Sequence, residues 1–422
     1  MREIVQDKGT KAIIEHENVL LALATGVGKT KAYVDALNEM SYEKIYVVLF
    51  INDAEKDLLL DYQKWNLNKK VNFINYKSIH KIPSDTEVLI LEEAHHITPE
   101  SLKELRNINA KKRIYVSATV NWEKRRLLTD LSNNNLKRVA YPLKTAIEDG
   151  VLPTPNIVLY PVLLDTTTRT SVYKAIKHKV YPWKNISYPE YVNTYKYRKD
   201  KNNYNVLCTE REHYDLIEEK IDYFNSRLVE EKIVLNNIES EINTLKNKKF
   251  TLMKDVEENR ANIFDLEKEY KSLTKGYEYT QKKRIYLGSD RKKFLSKVKE
   301  KYVIKLKDEL VNQYEKLLIF CNSKDTAEKL GNFIHSSNPD NDKVYNDFIE
   351  GKINYISTIK MFDETKNVPG IEAGIIQELD KEPRTTIQRM GRVLRSENPD
   401  VYIITVLNTN DDLKIETFKK LL

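Results

Sequence analysis

LATGVGKT, Leu23–Thr30, is the stretch on which the reading of the fold turns. It follows an apolar run and opens a helical pattern, and a strand–loop–helix with glycines at the bend is a phosphate cradle. Gly26 and Gly28 let backbone N–H groups curl around phosphate oxygens with no Cβ in the way. Thr25 and Val27 complete the loop, and the helix N-terminus adds partial positive charge. Lys29 is placed to reach the β- and γ-phosphates of a nucleotide, and Thr30 to set its hydroxyl on Mg²⁺.

Outward from the loop, short apolar runs alternate with amphipathic stretches. Val19–Ala24, Ile45–Phe50, Val88–Leu91 and Ile114–Val116 read as buried strands, and Lys31–Met40 and Ala54–Trp65 as helices. That alternation predicts a parallel sheet covered on both faces. Gly150, Pro153 and Pro155 mark Ala146–Pro155 as a linker. A second α/β segment begins near Lys316, with strands expected at Leu317–Cys321, Tyr355–Ile359, Gly374–Gln377 and Val401–Val406. Asn156–Leu164 reads as its first strand.

The totals agree with several domains: 422 residues exceed what one core serves. No apolar run reaches membrane-spanning length, and MREIVQDKG has no signal-peptide core. A cytoplasmic protein with no membrane partner is the expectation. Cys208 and Cys321 stand far apart without His neighbours, which argues against a disulfide framework or zinc site. A net charge of +7 suits a polyanion partner without requiring one.

Two further segments carry chemistry. Val88–His96, VLILEEAHH, delivers two carboxylates at the C-terminal end of a strand, where ligands sit in a parallel sheet. Glu92 is assigned to the metal and Glu93 to polarising the attacking water. Gln388–Arg395, QRMGRVLR, spaces Arg389, Arg392 and Arg395 by three, so on a helix they share roughly one face. Arg392 and Arg395 suit charge on a transferring phosphoryl group. Gly391 inside that helix costs stability, which points to a close approach by another group.

Between the α/β segments the texture changes. Glu190–Lys275 has neither Gly nor Pro, and Ile221, Phe224, Leu228, Leu235, Ile238, Ile242, Leu245, Leu252, Val256, Ile263, Leu266, Tyr270 and Leu273 fall on one heptad frame. Glu231, Lys249 and Asn259 interrupt it. An antiparallel hairpin turning near Asn247–Lys249 is preferred, because the chain must return. A dimeric coiled coil is the rival, and would bring self-association or a protein partner. Ahead of it, Tyr181, Trp183, Tyr188, Tyr191, Tyr195 and Tyr197 intermix with Lys184, Lys196, Arg198, Lys199 and Lys201. They suit base stacking or packing at the root of the coil, and the second is favoured.

In order and spacing these segments resemble superfamily 2 helicases, specifically the DEAD/DEAH-box-like group with restriction motors and phage recombination helicases. LATGVGKT resembles motif I, and LEEAHH resembles motif II with Glu92 where Asp is usual. Ser117–Thr119 (SAT) resembles motif III, Leu317–Ser323 motif IV, Asp363–Pro369 motif V, with Thr365 and Asn367 departing from it, and QRMGRVLR motif VI. Gln6 is similar to the upstream glutamine that reads adenine, Val48–Asn52 to motif Ia, and Tyr76–Ser78 to the DNA-contact motif after it. The resemblance covers both α/β segments.

It implies an α/β fold of two RecA-like domains with a long coiled-coil insertion: 1–148 as the first, 149–205 as the start of the second with the basic aromatic stretch, 206–278 as the coil and 279–422 as the remainder. It implies ATP and Mg²⁺, with Gln388 joining Arg392 and Arg395 in catalysis. His95, Ser117 and Thr119 would couple nucleotide state to nucleic acid, DNA ahead of RNA. The implied activity is an ATP-driven helicase or translocase. The alternatives are a non-unwinding duplex translocase of a restriction or defence complex, and an ATP-gated coiled-coil structural protein. The last should place its acidic strand end after the coil, whereas Glu92 and Glu93 precede it.

Overall fold

A computed structural model describes the chain except at residues 51–53, 195, 201–202, 249–252, 336–337, 360–367, 369, 381–382, 394–395 and 421–422, and describes 196–200, 203, 383–385, 387 and 388 by backbone alone. Met1–Val162 and Lys299–Leu422 form one compact unit, and Leu163–Val298 a second.

The first unit holds two sheets. In chain order its first half comprises α1 (Arg2–Glu15), β1 (Asn18–Leu23), α2 (Lys29–Glu39), β2 (Ile45–Leu49), α3 (Ala54–Lys64), β3 (Val71–Asn75), β4 (Val88–Leu91), α4 (Pro99–Leu105), β5 (Lys112–Ser117), α5 (Trp122–Leu131), β6 (Lys137–Tyr141) and α6 (Leu143–Glu148). The strands pair in parallel in the order β3-β2-β4-β5-β1-β6. All six side chains of β1 and all four of β4 are buried, as expected of inner strands covered by helices on both faces. The register sets Ala22 beside Ser117 and Leu91 beside Tyr115. The ends of β1, β4 and β5 therefore share one edge of the sheet.

Then β7 (Asn156–Val162) leaves the linker and pairs in parallel with a strand near the C-terminus, as the edge of the second sheet. The second unit follows: β8 (Ser171–Ala175), β9 (Val180–Tyr181), β10 (Ile186–Ser187), α7 (Tyr188–Thr194), β11 (Lys196–Asp200), β12 (Asn203–Cys208), α8 (Glu210–Asn247) and most of α9 (Met253–Leu310). Strands β11, β12 and β8 form an antiparallel sheet. Tyr181, Tyr188 and Tyr191 are buried with Tyr173, Leu216, Ile217, Ile221 and Leu287. These tyrosines pack the root of the helical pair and offer no base-stacking face; the side chains of Tyr195, Lys196, Tyr197, Arg198, Lys199 and Lys201 lie outside the described residues.

Helices α8 and α9 run antiparallel. Lys246 meets Glu267 at 2.6 Å, Glu231 accepts from Thr280 at 3.1 Å, Asn225 from Arg284 at 2.6 Å, and Glu218 from Arg291 at 2.8 Å. Two of the residues that break the heptad are thus partnered: Glu231 by Thr280, and Asn259 by the Leu245 carbonyl at 3.1 Å. Partnered polar groups in an apolar seam set its register. Lys249 lies outside the described residues. The second helix does not stop near Glu278; it runs through Gly276 and Gly288 to Leu310. A glycine costs about 1 kcal/mol in a helix interior, too little to end one whose flanks pack on both sides.

From Lys299 the chain is back in the first unit. The order continues β13 (Leu317–Phe320), α10 (Lys324–Leu330), β14 (Phe333–Ile334), α11 (Asn341–Ile349), β15 (Tyr355–Thr358), β16 (Ala373–Ile376), α12 (Pro383–Val393), β17 (Asp400–Val406) and α13 (Asn410–Lys419). The second sheet is parallel with order β14-β15-β13-β16-β17-β7. The architecture is two six-stranded parallel RecA-like sheets with a long helical insertion. Among the described residues, no helix is long and apolar enough to cross a membrane.

Candidate nucleotide site

The loop between β1 and α2 is built around its glycines. Gly28 caps α2 with φ 103°, and a Cβ there would lie 2.2 Å from Gln6 Nε2. Gln6 is buried on α1 and donates to the Val27 carbonyl at 2.8 Å, so its amide holds the loop, while the Val27 side chain is buried in the core. Lys29 Nζ donates to the Leu23 carbonyl at 3.4 Å. Thr25, Gly26, Gly28, Lys29 and Thr30 line a cleft of about 890 Å³.

Strand β4 delivers Glu92 and Glu93 into the same cleft. Burial, together with the Glu93 charge, raises the Glu92 pKa to about 7, against the opposing effects of a Tyr33 hydrogen bond and the Lys29 charge. Tyr33 lies one helical turn beyond Lys29 on α2, and its hydroxyl also meets that of Tyr62 at 3.1 Å. Sequence reasoning missed Tyr33; its i+4 spacing from Lys29 was the available signal, whereas nothing local marks Tyr62. Glu93 adopts a left-handed conformation, φ 46° and ψ 52°. For a non-glycine residue this strain is of the kind found at functional sites.

Glu93 Oε2 lies 3.2 Å from His95 Nδ1, and that nitrogen lies 2.9 Å from Ser117 Oγ. Ser117 Oγ donates to the Thr119 carbonyl at 2.9 Å. A continuous polar chain therefore runs from the acidic strand end to the end of β5. His96 turns the other way and stacks on Phe50, ring centroids 3.5 Å apart, while Tyr76 donates to the Glu92 carbonyl at 3.3 Å. Phe50 also lines the cleft. Ile51 and Asn52 lie outside the described residues.

The second sheet contributes Tyr345, Arg392 and Ser396 to the cleft. Helix α12 brings Gly391 against the phosphate loop: a Cβ on Gly391 would lie 2.8 Å from Thr25 Cβ. Arg389 does not share this exposure. It is buried, donates to the Glu378 carbonyl at 3.4 Å, lies 3.8 Å from Asp380 and sits over the Phe320 ring. A spacing of three falls about 60° short of a full turn, and that offset carries Arg389 toward the sheet while Arg392 faces the cleft. The Gln388 side chain, Arg395 and residues Asp363–Asn367 and Pro369 lie outside the described residues.

The donor set fits a hard divalent cation. Among the described residues Glu92 Oε1 is buried without a hydrogen-bond partner, and Thr30 and Glu92 both line the cleft with oxygen-bearing side chains. Mg²⁺ is commonly held by one or two carboxylates plus substrate phosphates and water. Among the described residues there is no cluster of three or more His, Cys, Asp or Glu that could hold a metal.

No curated protein matches the chain in sequence. The crystal structure of the Pyrococcus furiosus Hef helicase domain aligns with a TM-score of 0.47 at 15% identity, covering 99% of this chain and 97% of that one. Residues 299–397 match the family described as helicase conserved C-terminal domain. That segment runs from the end of α9 through α12 and includes QRMGRVLR, and over it the chain is similar to helicase C-terminal domains.

Proposed function

We propose that the chain hydrolyses ATP in this cleft and uses the energy to unwind, or move along, DNA. One observation carries the reading: a single cleft is lined by Lys29 and Thr30 of the phosphate loop, Glu92 and Glu93 of the acidic strand end, and Arg392 from the second sheet. Thr30 and Glu92 would hold Mg²⁺, whose charge would offset that of the phosphates. Backbone N–H groups of Thr25–Lys29 cradle the phosphates, and Lys29 offsets their charge. Glu93 accepts a proton from the attacking water, held in line by its contact with His95. Arg392, with Arg395 and Gln388, answers charge on the transferring group.

Because the first sheet carries the base and the second the arginine, hydrolysis is sensitive to their separation. The chain Glu93–His95–Ser117 then links that event to the end of β5. Preference for DNA rests on the resemblance of QRMGRVLR to branch-migration and restriction motors. The helical arm, inserted at the start of the second sheet, is proposed to guide a strand or hook a partner.

The test is ATP hydrolysis by the full chain with single-stranded, duplex, forked and four-way DNA and with RNA, beside Lys29→Ala. Stimulation by a DNA, abolished in Lys29→Ala, is expected. Absence of hydrolysis with every polynucleotide overturns the proposal, and stimulation by RNA alone overturns its DNA preference.

A further inference from the structure

Directly beyond Ser117–Thr119, helix α5 opens with Trp122, whose side chain is 63% exposed. A lone exposed apolar side chain carries no message by itself, but tryptophan, apolar with one polar N–H, is enriched at interfaces. Its neighbours on the same helix face are Arg125 and Arg126, both exposed, and Thr129. Positions i, i+3, i+4 and i+7 form one stripe about 10 Å long. A shallow groove of about 480 Å³ runs along it, lined by these four residues with Asp130 and Asn134.

Among the described residues the stripe's own acid, Asp130, is paired with Arg106 at 2.6 Å. Glu123 lies one turn before Arg126, and against that single carboxylate the two guanidiniums of Arg125 and Arg126 leave the face positive. An aromatic plate flanked by guanidinium groups is the chemistry that takes an unpaired base with its phosphates.

The helix is also wired to the nucleotide site. Asn121 caps it by accepting from Lys124 N at 2.9 Å, and Lys124 Nζ donates to the Ile97 carbonyl. Ile97 follows His95 and His96 directly, so the base of the stripe is fastened to the segment that holds Glu93.

We propose that Trp122, Arg125 and Arg126 form a contact site for single-stranded nucleic acid, the indole stacking on one base and the two guanidiniums holding adjacent phosphates. Occupancy is felt at His95 through Lys124 and Ile97. The inference rests on the nucleic-acid motor reading and specifies where the strand touches the first sheet's unit. Charge favours this occupant over a protein partner, since a protein face would have to be acidic to match it.

The experiment is fluorescence anisotropy of the full-length chain with labelled oligo-dT and oligo-U of equal length, across a salt series, for wild type, Trp122→Ala, Trp122→Phe and Arg125→Gln/Arg126→Gln. Trp122→Ala should weaken binding about tenfold, the loss of one stacking platform, and Trp122→Phe should recover most of it. The arginine pair should weaken binding and flatten the salt dependence by about two phosphate contacts. Thermal unfolding should be unchanged in all, because the side chains are exposed. If only one oligomer responds, the strand's sugar is identified with the site retained. Wild-type binding with an unaltered Trp122→Ala affinity overturns this site alone. A wild type that binds neither oligomer overturns this site, while the motor reading stands or falls on hydrolysis with duplex, forked and four-way DNA. Loss of self-association in Trp122→Ala with oligomer binding intact makes the patch a protein interface and overturns the proposal.

Discussion

Gly391 faces Thr25 so closely that no side chain fits between them: a Cβ on the glycine would come within 2.8 Å of Thr25 Cβ. The two residues belong to different sheets of the first unit, one on α12 and the other in the phosphate loop. A helix-interior glycine costs about 1 kcal/mol relative to alanine, so an ordinary stability argument favours replacing it. The contact argues the reverse for activity. In Gly391→Ala the helix should hold or gain stability while the loop or the helix gives way. A displacement near 1 Å in a catalytic arrangement costs about 10²-fold. The expected outcome is an unchanged or raised melting temperature with nucleic-acid-stimulated ATP turnover down ten- to a hundredfold. Wild-type turnover would mean that the cleft does not close on this contact.

Glu93 and His95 make a separable pair. Removing the charge of the base in Glu93→Gln should leave nucleotide binding intact and reduce turnover by about 10²–10⁴. His95 touches both Glu93 and Ser117, so His95→Ala should do something different: hydrolysis falls modestly, about tenfold, while its stimulation by nucleic acid disappears. Steady-state ATPase assays with and without a polynucleotide separate the two. Equal fold-stimulation in His95→Ala and wild type refutes the coupling role.

How much of this was legible in the sequence depended on where each residue sits in its sheet. Strands β1 and β4 announce themselves because both faces are buried, which leaves an unbroken apolar run. Strands β3 and β6 gave no such signal. They are the two edges of the first sheet, and their side chains are half-buried in one and mostly exposed in the other. The turn between β1 and α2 was readable because its signal is local: glycines, lysine and threonine at fixed steps, with Gly28 at φ 103° as the turn requires. Tyr33 was not, because its importance comes from Glu92 arriving on a strand more than fifty residues later. The three-stranded sheet of β8, β11 and β12 was hidden behind basic, aromatic composition that mimicked a binding segment. Spacing by three suggested one face for Arg389 and Arg392, but it falls about 60° short of a turn, and packing against Phe320 and Glu378 takes up Arg389 on the far side of that offset.

The second unit carries its own acid sensitivity. His213 is held to a pKa of about 4 by burial, with the Lys297 charge adding to it; its ring packs on Phe294 and Tyr173. The unfolded chain binds a proton at the ordinary histidine value of 6.5, and the folded unit resists it. This contribution to stability is therefore complete above pH 6.5 and is lost as pH falls from there toward 4. The loss is at most about 3 kcal/mol. Trp183, the one tryptophan of this unit among three in the chain, reports its unfolding. In a Trp65→Phe/Trp122→Phe background, where Trp183 is the one indole, stability from urea melts should fall from pH 7.5 to 4.5 and fall less when His213→Phe is added. Equal pH dependence in the two assigns the sensitivity elsewhere.

Lys299 enters the first unit as a buried cation, with Nζ 2.8 Å from Glu378 and 2.6 Å from Asp411. Lys414 contacts the same two acids, at 3.0 Å from Asp411. Two ammoniums and two carboxylates thus balance in the interior where α9 meets β16 and α13. Burial alone would raise the Asp411 pKa, but Lys299 and Lys414 outweigh it and hold it below the usual aspartate value. A depressed carboxylate adds stability above its unfolded value, and that stability drains away as pH falls through the folded one. Lys299→Met strands a buried charge and should cost about 3–5 kcal/mol, whereas removing charge in pairs costs far less. Lys299→Met/Asp411→Leu should therefore recover much of the loss while keeping one ion pair between Lys414 and Glu378. The Glu378 carbonyl also receives Arg389 of α12, so the single variant should impair ATP turnover beyond its fraction unfolded, and the double variant should restore both. A double variant no better than the single one would show that these four groups act independently, and the balance of charge would then not be what anchors α9 to the second sheet.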